Sequence, residues 1–202
     1  PHRTEVLGFM TFLHGDVRFY NNLFVQQPVH PALEKMAQRA KEEPNTWDDS
    51  NVEVGTFPYD GYPTFQEWDK QFEGYCGMGS APSDRYYSHL PVWAAGNVYF
   101  GGARPWEQEE SPAIVPESVT LRLREEGGRY TLETDLYRKF PSVKTPFVST
   151  ALLGEAFEPE EKFENPDGTP IQFDRDYFGR HREPNPLPGP FAQASEAEEA
   201  LF

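Results

Sequence analysis

"HGDVRFYNNLFVQQP", residues 14–28, and "VWAAGNVYF", residues 92–100, decide how this chain is read. Each sets an asparagine between two short apolar strands: Asn22 follows "VRFY" and precedes "LFV", and Asn97 follows "VWAA" and precedes "VYF". No tandem repeat of constant length accompanies them. Successive rungs of a parallel β-helix have this form when a long excursion leaves from one corner. Asparagines stacked at the corners satisfy one another's amides, as in other stacked-strand ladders. On this reading Val17, Phe19, Leu23 and Val25 form rung core, and Asn21 and Asn22 form the turn.

The rest of the chain fits around those two stretches. "EVLGFMTFL" reads as a further strand ahead of the first. "PALEKMAQRAKE", residues 31–42, predicts a helix, with Pro31 in its first turn and Leu33, Met36, Ala37 and Ala40 on one face. Thr64 and Glu67 form a capping box ahead of Phe65, Trp68 and Phe72, which predicts a second, short helix within an aromatic loop region over 45–88. "LPVWAAGNVYFGGARP" predicts strand turning at Gly101 and Gly102. "VTLRLREEGGRYTLETDLY" alternates Val119, Leu121 and Leu123 with polar residues, turns at Gly127 and Gly128, and alternates back through Tyr130 and Leu132. The expected fold class is mainly all-β: right-handed parallel β-helix rungs, a long partly helical insertion and a β-hairpin. The organisation expected is rungs over 1–30, the insertion over 31–88, and final rungs, hairpin and an extended segment over 89–191. An acidic tail over 192–202 is read as a short helix or loose chain.

Composition narrows the function. A formal net charge of −15 argues against nucleic acid and against an anionic membrane surface, since both polyanions would be repelled. A neutral substrate fits better. No apolar run approaches the roughly 18 residues that span a bilayer. Cys76 is the single cysteine, so no intrachain disulfide forms, which leaves the compartment open. The start at "PHRTEV" is expected to belong to something longer or to a processed product.

Five constellations carry conceivable chemistry. His2, Arg3, His14, Asp16 and Arg18 are polar groups spaced as on neighbouring strands, suited to holding sugar hydroxyls; the plainer alternative is an Asp16–Arg18 ion pair at a strand end with exposed histidines. Asp167, Asp174 and Asp176 sit around a glycine turn and bring calcium into view, though without the spacing of a calcium-binding hand; otherwise no cofactor is expected. Asp48, Asp49 and Asp60 are carboxylates of the type glycoside hydrolysis needs in pairs, with no context that singles one out. Cys76 and His89 lack a third group to make a nucleophile pair. Trp47, Tyr59, Tyr62, Trp68, Tyr86 and Tyr87 offer flat faces for sugar rings, or simply hold the insertion onto the body.

Three strings in order, "PHRTEVLGF…HGDVRFYNNLFV", "LPVWAAGNVYFGGARP" and "FENPDGTPIQFDRDYFGRHREPNPLPGPF", resemble the C-terminal third of glycoside hydrolase family 120. The resemblance covers most of residues 1–191. It implies a β-xylosidase on a right-handed parallel β-helix: a retaining, exo-acting hydrolase of xylo-oligosaccharides with an aspartate nucleophile and a glutamate acid/base. In that family the pair lies in a "WLDWMAQG"-like segment and the strand after it. Neither string occurs here. The resemblance therefore implies no catalytic residue in this chain, and an upstream portion or partner chain that carries the carboxylates. What it carries over by position is the wall of the sugar site, formed by His2, Arg3, His14, Asp16 and Arg18. Oligomeric state stays open. The competing expectations are a non-catalytic carbohydrate-binding or interaction module, and a β-helix hydrolase of another plant glycan such as a pectin.

Overall fold

The computed structural model describes residues 15–42, 56, 61–74, 89–157, 159–193 and, as backbone, 199–200. Strands dominate. Three layers of short parallel strands form the body. The first layer is β1 (Val17–Tyr20) and β2 (Leu23–Val25); the second is β3 (Val92–Ala95) and β4 (Val98–Phe100); the third is β5 (Ala113–Val115). β1 pairs in parallel with β3, residue for residue from Val17↔Val92 to Tyr20↔Ala95. β2 pairs with β4 and β4 with β5, again in parallel. A single parallel bridge, Ala95↔Glu110, extends the β1–β3 sheet into the third layer.

The layers turn at stacked positions. Asn21, Gly96 and Ser111 have φ of 57°, 67° and 54°, so one left-handed residue bends each layer at the same place. Backbone bonds run straight through the bend, from Asn21 N–H to the Ala95 carbonyl and from Gly96 N–H to the Glu110 carbonyl. Glycine is required in the middle layer: a Cβ there would fall 2.7 Å from Asn21 Oδ1 and 2.9 Å from Pro146 Cδ.

Just inside the bend, the two asparagines interlock. The fully buried Asn97 accepts Asn22 N–H (2.7 Å) and Asn22 Nδ2 (3.0 Å) on its Oδ1. Its own Nδ2 donates to the Phe19 carbonyl (2.9 Å) and to Glu109 Oε1 (2.8 Å). The third layer has no asparagine at this point. Glu109 reaches back instead, taking the Asn97 backbone N–H at 3.1 Å and the Tyr99 hydroxyl on its other oxygen. Burial pushes the Glu109 carboxyl above its ordinary range, against the opposing pull of Tyr99 and Asn97. A raised folded pKa means that this group's contribution to stability is complete below the ordinary glutamate range and is lost as pH rises through the folded value. Glu109→Gln keeps an acceptor for Asn97 and removes the ionisation. The melting temperature of that variant relative to the parent is therefore expected to climb as pH rises above the ordinary glutamate range, as read by thermal melts across a pH series.

The core sits inside the layers. Val98, Phe100, Val115 and Leu136 form one cluster, joined by Leu23 and Val25, and Val92, Ala94 and Trp106 form another. Val17 and Phe19, expected as rung core, are instead 40% and 39% exposed. Strand alternation puts them on the same inner face as Val92 and Ala94. But β1 lies at the end of its sheet, and among the described residues nothing pairs with its outer edge.

Helix α1 (Pro31–Glu42) forms as predicted, though Leu33 and Met36 on its apolar face remain 46% and 64% exposed. Helix α2 (Phe65–Lys70) starts at the predicted capping box: Thr64 Oγ1 accepts the Glu67 N–H, and Glu67 accepts the Thr64 N–H. Strands β6 (Leu121–Glu126) and β7 (Arg129–Thr134) form the hairpin, turning at Gly127 and Gly128. The tail departs from the helix-or-loose expectation, since β8 (Glu199–Ala200) pairs antiparallel with Leu132 and Thr131 on the open edge of β7. Residues 159–191 are extended and stapled by side-chain bonds to backbone, and Gly189 N–H donates to the Asn21 carbonyl.

Candidate functional site

Strand alternation decides which side chains face outward from the β1–β3 sheet. Opposite Val17 and Phe19, the outer face of β1 carries Arg18 and Tyr20, in register with Trp93 and Ala95 of β3. The bridge at Glu110 places that carboxylate beside Ala95. This outer face therefore runs Tyr20, Ala95, Glu110 across the layers, with Trp93 one step back.

Arg18 is the anchor of this face. Its guanidinium donates to the carbonyls of Asp16 (2.9 Å), Leu153 (3.0 Å) and Glu155 (2.7 Å) and to Asp16 Oδ1. It lies between the Trp93 ring at 4.0 Å and the Phe163 ring at 4.7 Å, and its side chain is 6% exposed. Asp16 completes the clamp by accepting the Phe157 N–H on Oδ2 at 2.9 Å. The structure thus brings Asp16 and Arg18 together as an ion pair and binds both to the 153–157 segment. His2, Arg3 and His14 lie outside the described residues, as do Trp47, Asp48, Asp49, Tyr59, Asp60, Cys76, Tyr86 and Tyr87.

On one side of the Arg18 stack opens a groove of about 490 Å³, lined by Tyr20, Phe65, Trp93, Ala95, Glu110 and Lys144 among others. Phe65, 41% exposed, lies nearly parallel to Trp93 with ring centroids 6.4 Å apart. Burial raises the Tyr20 hydroxyl pKa, Arg18 pulls it back, and Glu110 adds to the rise, so Tyr20 enters the groove as a neutral phenol. On the other side lies a more apolar cleft of about 780 Å³, bordered by Phe24, Phe163 and Phe173. Its arginines are committed to the protein: Arg182 donates to the carbonyls of Arg175, Leu187 and Gly189, and Arg175 donates to that of Gly179.

The calcium candidates are held by their own backbone. Asp167 caps its turn, and the Thr169 hydroxyl and N–H keep its carboxyl below the ordinary range. Burial would raise Asp176, yet the N–H groups of Ala192, Arg180 and Phe178 together draw it down. Asp174 stands 3.8 Å from His181. Among the described residues no three His, Cys, Asp or Glu side chains converge as the ligands of a metal would. Of the insertion aromatics, Trp68 packs edge-on against Phe157, and Tyr62 packs against His89. Sequence reasoning passed over Phe65, Trp93 and Glu110. The alternation of β3 marks Trp93 and Ala95 as outward, but the register of Glu110 beside Ala95 is a tertiary fact.

The layers and the groove define a mainly all-β protein of stacked parallel strands with an aromatic, polar-rimmed outer sheet face. No family model and no curated protein matches the chain. Among solved structures it is similar to XylC in complex with xylose, with a TM-score of 0.69 and 21% identity, over 93% of this chain and 26% of that chain. The chain thus spans about a quarter of the length of XylC, and the likeness is one of fold.

Proposed function

We propose that the chain is the C-terminal part of a retaining, exo-acting β-xylosidase-like hydrolase of glycoside hydrolase family 120, built from rungs of a right-handed parallel β-helix. The observation that carries this reading is the unfinished end of the stack. Val17 and Phe19 face inward yet stay exposed, and β1 and β2 each keep one edge unpaired among the described residues. Such an end accepts further parallel rungs, "EVLGFMTFL" of this chain first and those of an upstream portion beyond it, which would cover both side chains and pair the open backbone. The fold likeness to a xylose complex supports a carbohydrate as the substrate class.

In this reading the upstream rungs supply the aspartate nucleophile and the glutamate acid/base, roughly 5 Å apart as retention requires. This chain supplies the wall beside them, formed by His2, Arg3, His14, Asp16 and Arg18. Arg18 acts there as a positioning residue: its hydrogen bonds and ring stack fix the strand end from which the wall rises. The test is xylose release from xylobiose. The chain alone should release none, and the chain produced with its upstream portion should release xylose. No product from either, on xylobiose or an aryl-xyloside, would refute the assignment.

A second reading, a non-catalytic carbohydrate-binding module, is favoured by one observation. Asp16, Glu109, Asp167 and Asp176 are all engaged by protein donors, which commits these four carboxylates to the fold rather than to acid–base work. Saccharide binding without hydrolysis by the longer protein would select it.

A further inference from the structure

We propose that the groove over Ala95 is a subsite for a neutral sugar ring, seated against Phe65 and hydrogen-bonded by Glu110; this rests on the carbohydrate reading above and names the residues that would hold the ring. The depression has a sequence cause. Ala95 presents only a methyl group between Tyr20 on one neighbouring layer and Glu110 on the other, while Trp93 and Phe65 rise beside it. A small residue between larger ones on one sheet face leaves a slot, and at about 490 Å³ the groove is of small-ligand size.

The chemistry of the rim selects the ligand. A cation suits an aromatic wall and a carboxylate, but Lys144 lines the same groove and repels it. An anion would suit Lys144, but Glu110 and a net charge of −15 oppose it. A neutral polyol satisfies both: its hydroxyls donate to the Glu110 carboxylate and the Tyr20 oxygen and accept from Lys144. The exposed ring of Phe65, held nearly parallel to Trp93, offers a flat apolar surface to the carbon face of a pyranose. Trp93 is itself pinned by the Arg18 guanidinium, so the platform is rigid before the ligand arrives.

The experiment is a titration of the full chain with xylobiose and xylotriose, and with a panel of other neutral oligosaccharides, followed by tryptophan fluorescence and calorimetry. Glu110→Gln and Phe65→Ala are each expected to weaken binding about tenfold. Ala95→Leu, which fills the slot from an outward position, is expected to abolish it. Unchanged circular dichroism and melting temperature establish that each variant is folded. Xylo-oligosaccharide binding that survives all three substitutions overturns the groove and leaves the carbohydrate reading standing. Binding confined to a different neutral oligosaccharide, and lost in the variants, keeps the groove and overturns xylose as its ligand. A folded parent chain that binds no neutral saccharide overturns the groove outright, while xylose release by the longer protein reports on the parent reading independently.

Discussion

Asn97→Ala is expected to lower folding stability by about 3–5 kcal/mol, among the largest losses a single substitution in this chain can produce. Asn97 has no exposed surface, and its side chain makes four hydrogen bonds that tie all three layers together. Each net bond contributes only about 1 kcal/mol, so the count alone gives a moderate effect. The larger cost comes from what stays behind. Asn22 N–H and the Phe19 carbonyl would lose this partner inside the fold, and an orphaned buried group costs about 1–3 kcal/mol, while Glu109 Oε1 would keep only the backbone N–H of residue 97. Asn97→Asp does not rescue the ladder, because it exchanges the donor toward Glu109 for a second carboxylate. Urea unfolding, with the midpoint shift read at constant slope, measures the effect. A loss below about 1 kcal/mol would mean that water replaces the ladder at no cost, and the stacking account would fail.

Arg18→Met carries the second large effect, again about 3–5 kcal/mol, with an origin that can be separated from simple packing. Methionine keeps much of the apolar stem between Trp93 and Phe163 but removes the donors to Asp16, Leu153 and Glu155. The Asp16 carboxylate then stands part-buried with no cation beside it among the described residues. Arg18→Lys should recover little, because one ammonium cannot reach carbonyls on both sides of the stack. Adding Asp16→Asn to Arg18→Met should restore part of the loss, which is the signature of a coupled pair. Hydrogen exchange gives a local readout: the Phe157 amide, bonded to Asp16 Oδ2, should lose protection before the layers do. If the double variant is as unstable as the sum of the two single ones, the ion pair contributes nothing and only ring packing remains.

How much of this was legible in the sequence follows from where the information lies. The Asn22–Asn97 stack was readable because both corners carry the same residue between strands of the same kind. The capping box and the Gly127–Gly128 hairpin were readable because their signals are local. The third layer was hidden: it bends at Ser111 where the first bends at Asn21, and Glu109 takes the asparagine's place from a position further back. Val17 and Phe19 look like core from alternation, which they are by direction, but among the described residues β1 has no second neighbour to bury them. The Asp16–Arg18 ion pair is legible from its two-residue spacing, whereas the Arg18 donors to carbonyls more than a hundred residues away are not. Glu110 and Phe65 carry no motif, and only the parallel register brings them to one groove.

If a neutral sugar sits on the outer face of the β1–β3 sheet, amide chemical-shift mapping of the full chain during a xylobiose titration locates it there. Saturable shifts are expected at Tyr20, Phe65, Trp93–Ala95 and Glu110, with the hairpin amides unmoved. Shifts gathered instead around Phe24, Phe163 and Phe173, or no saturable shifts in a folded chain, would contradict that placement.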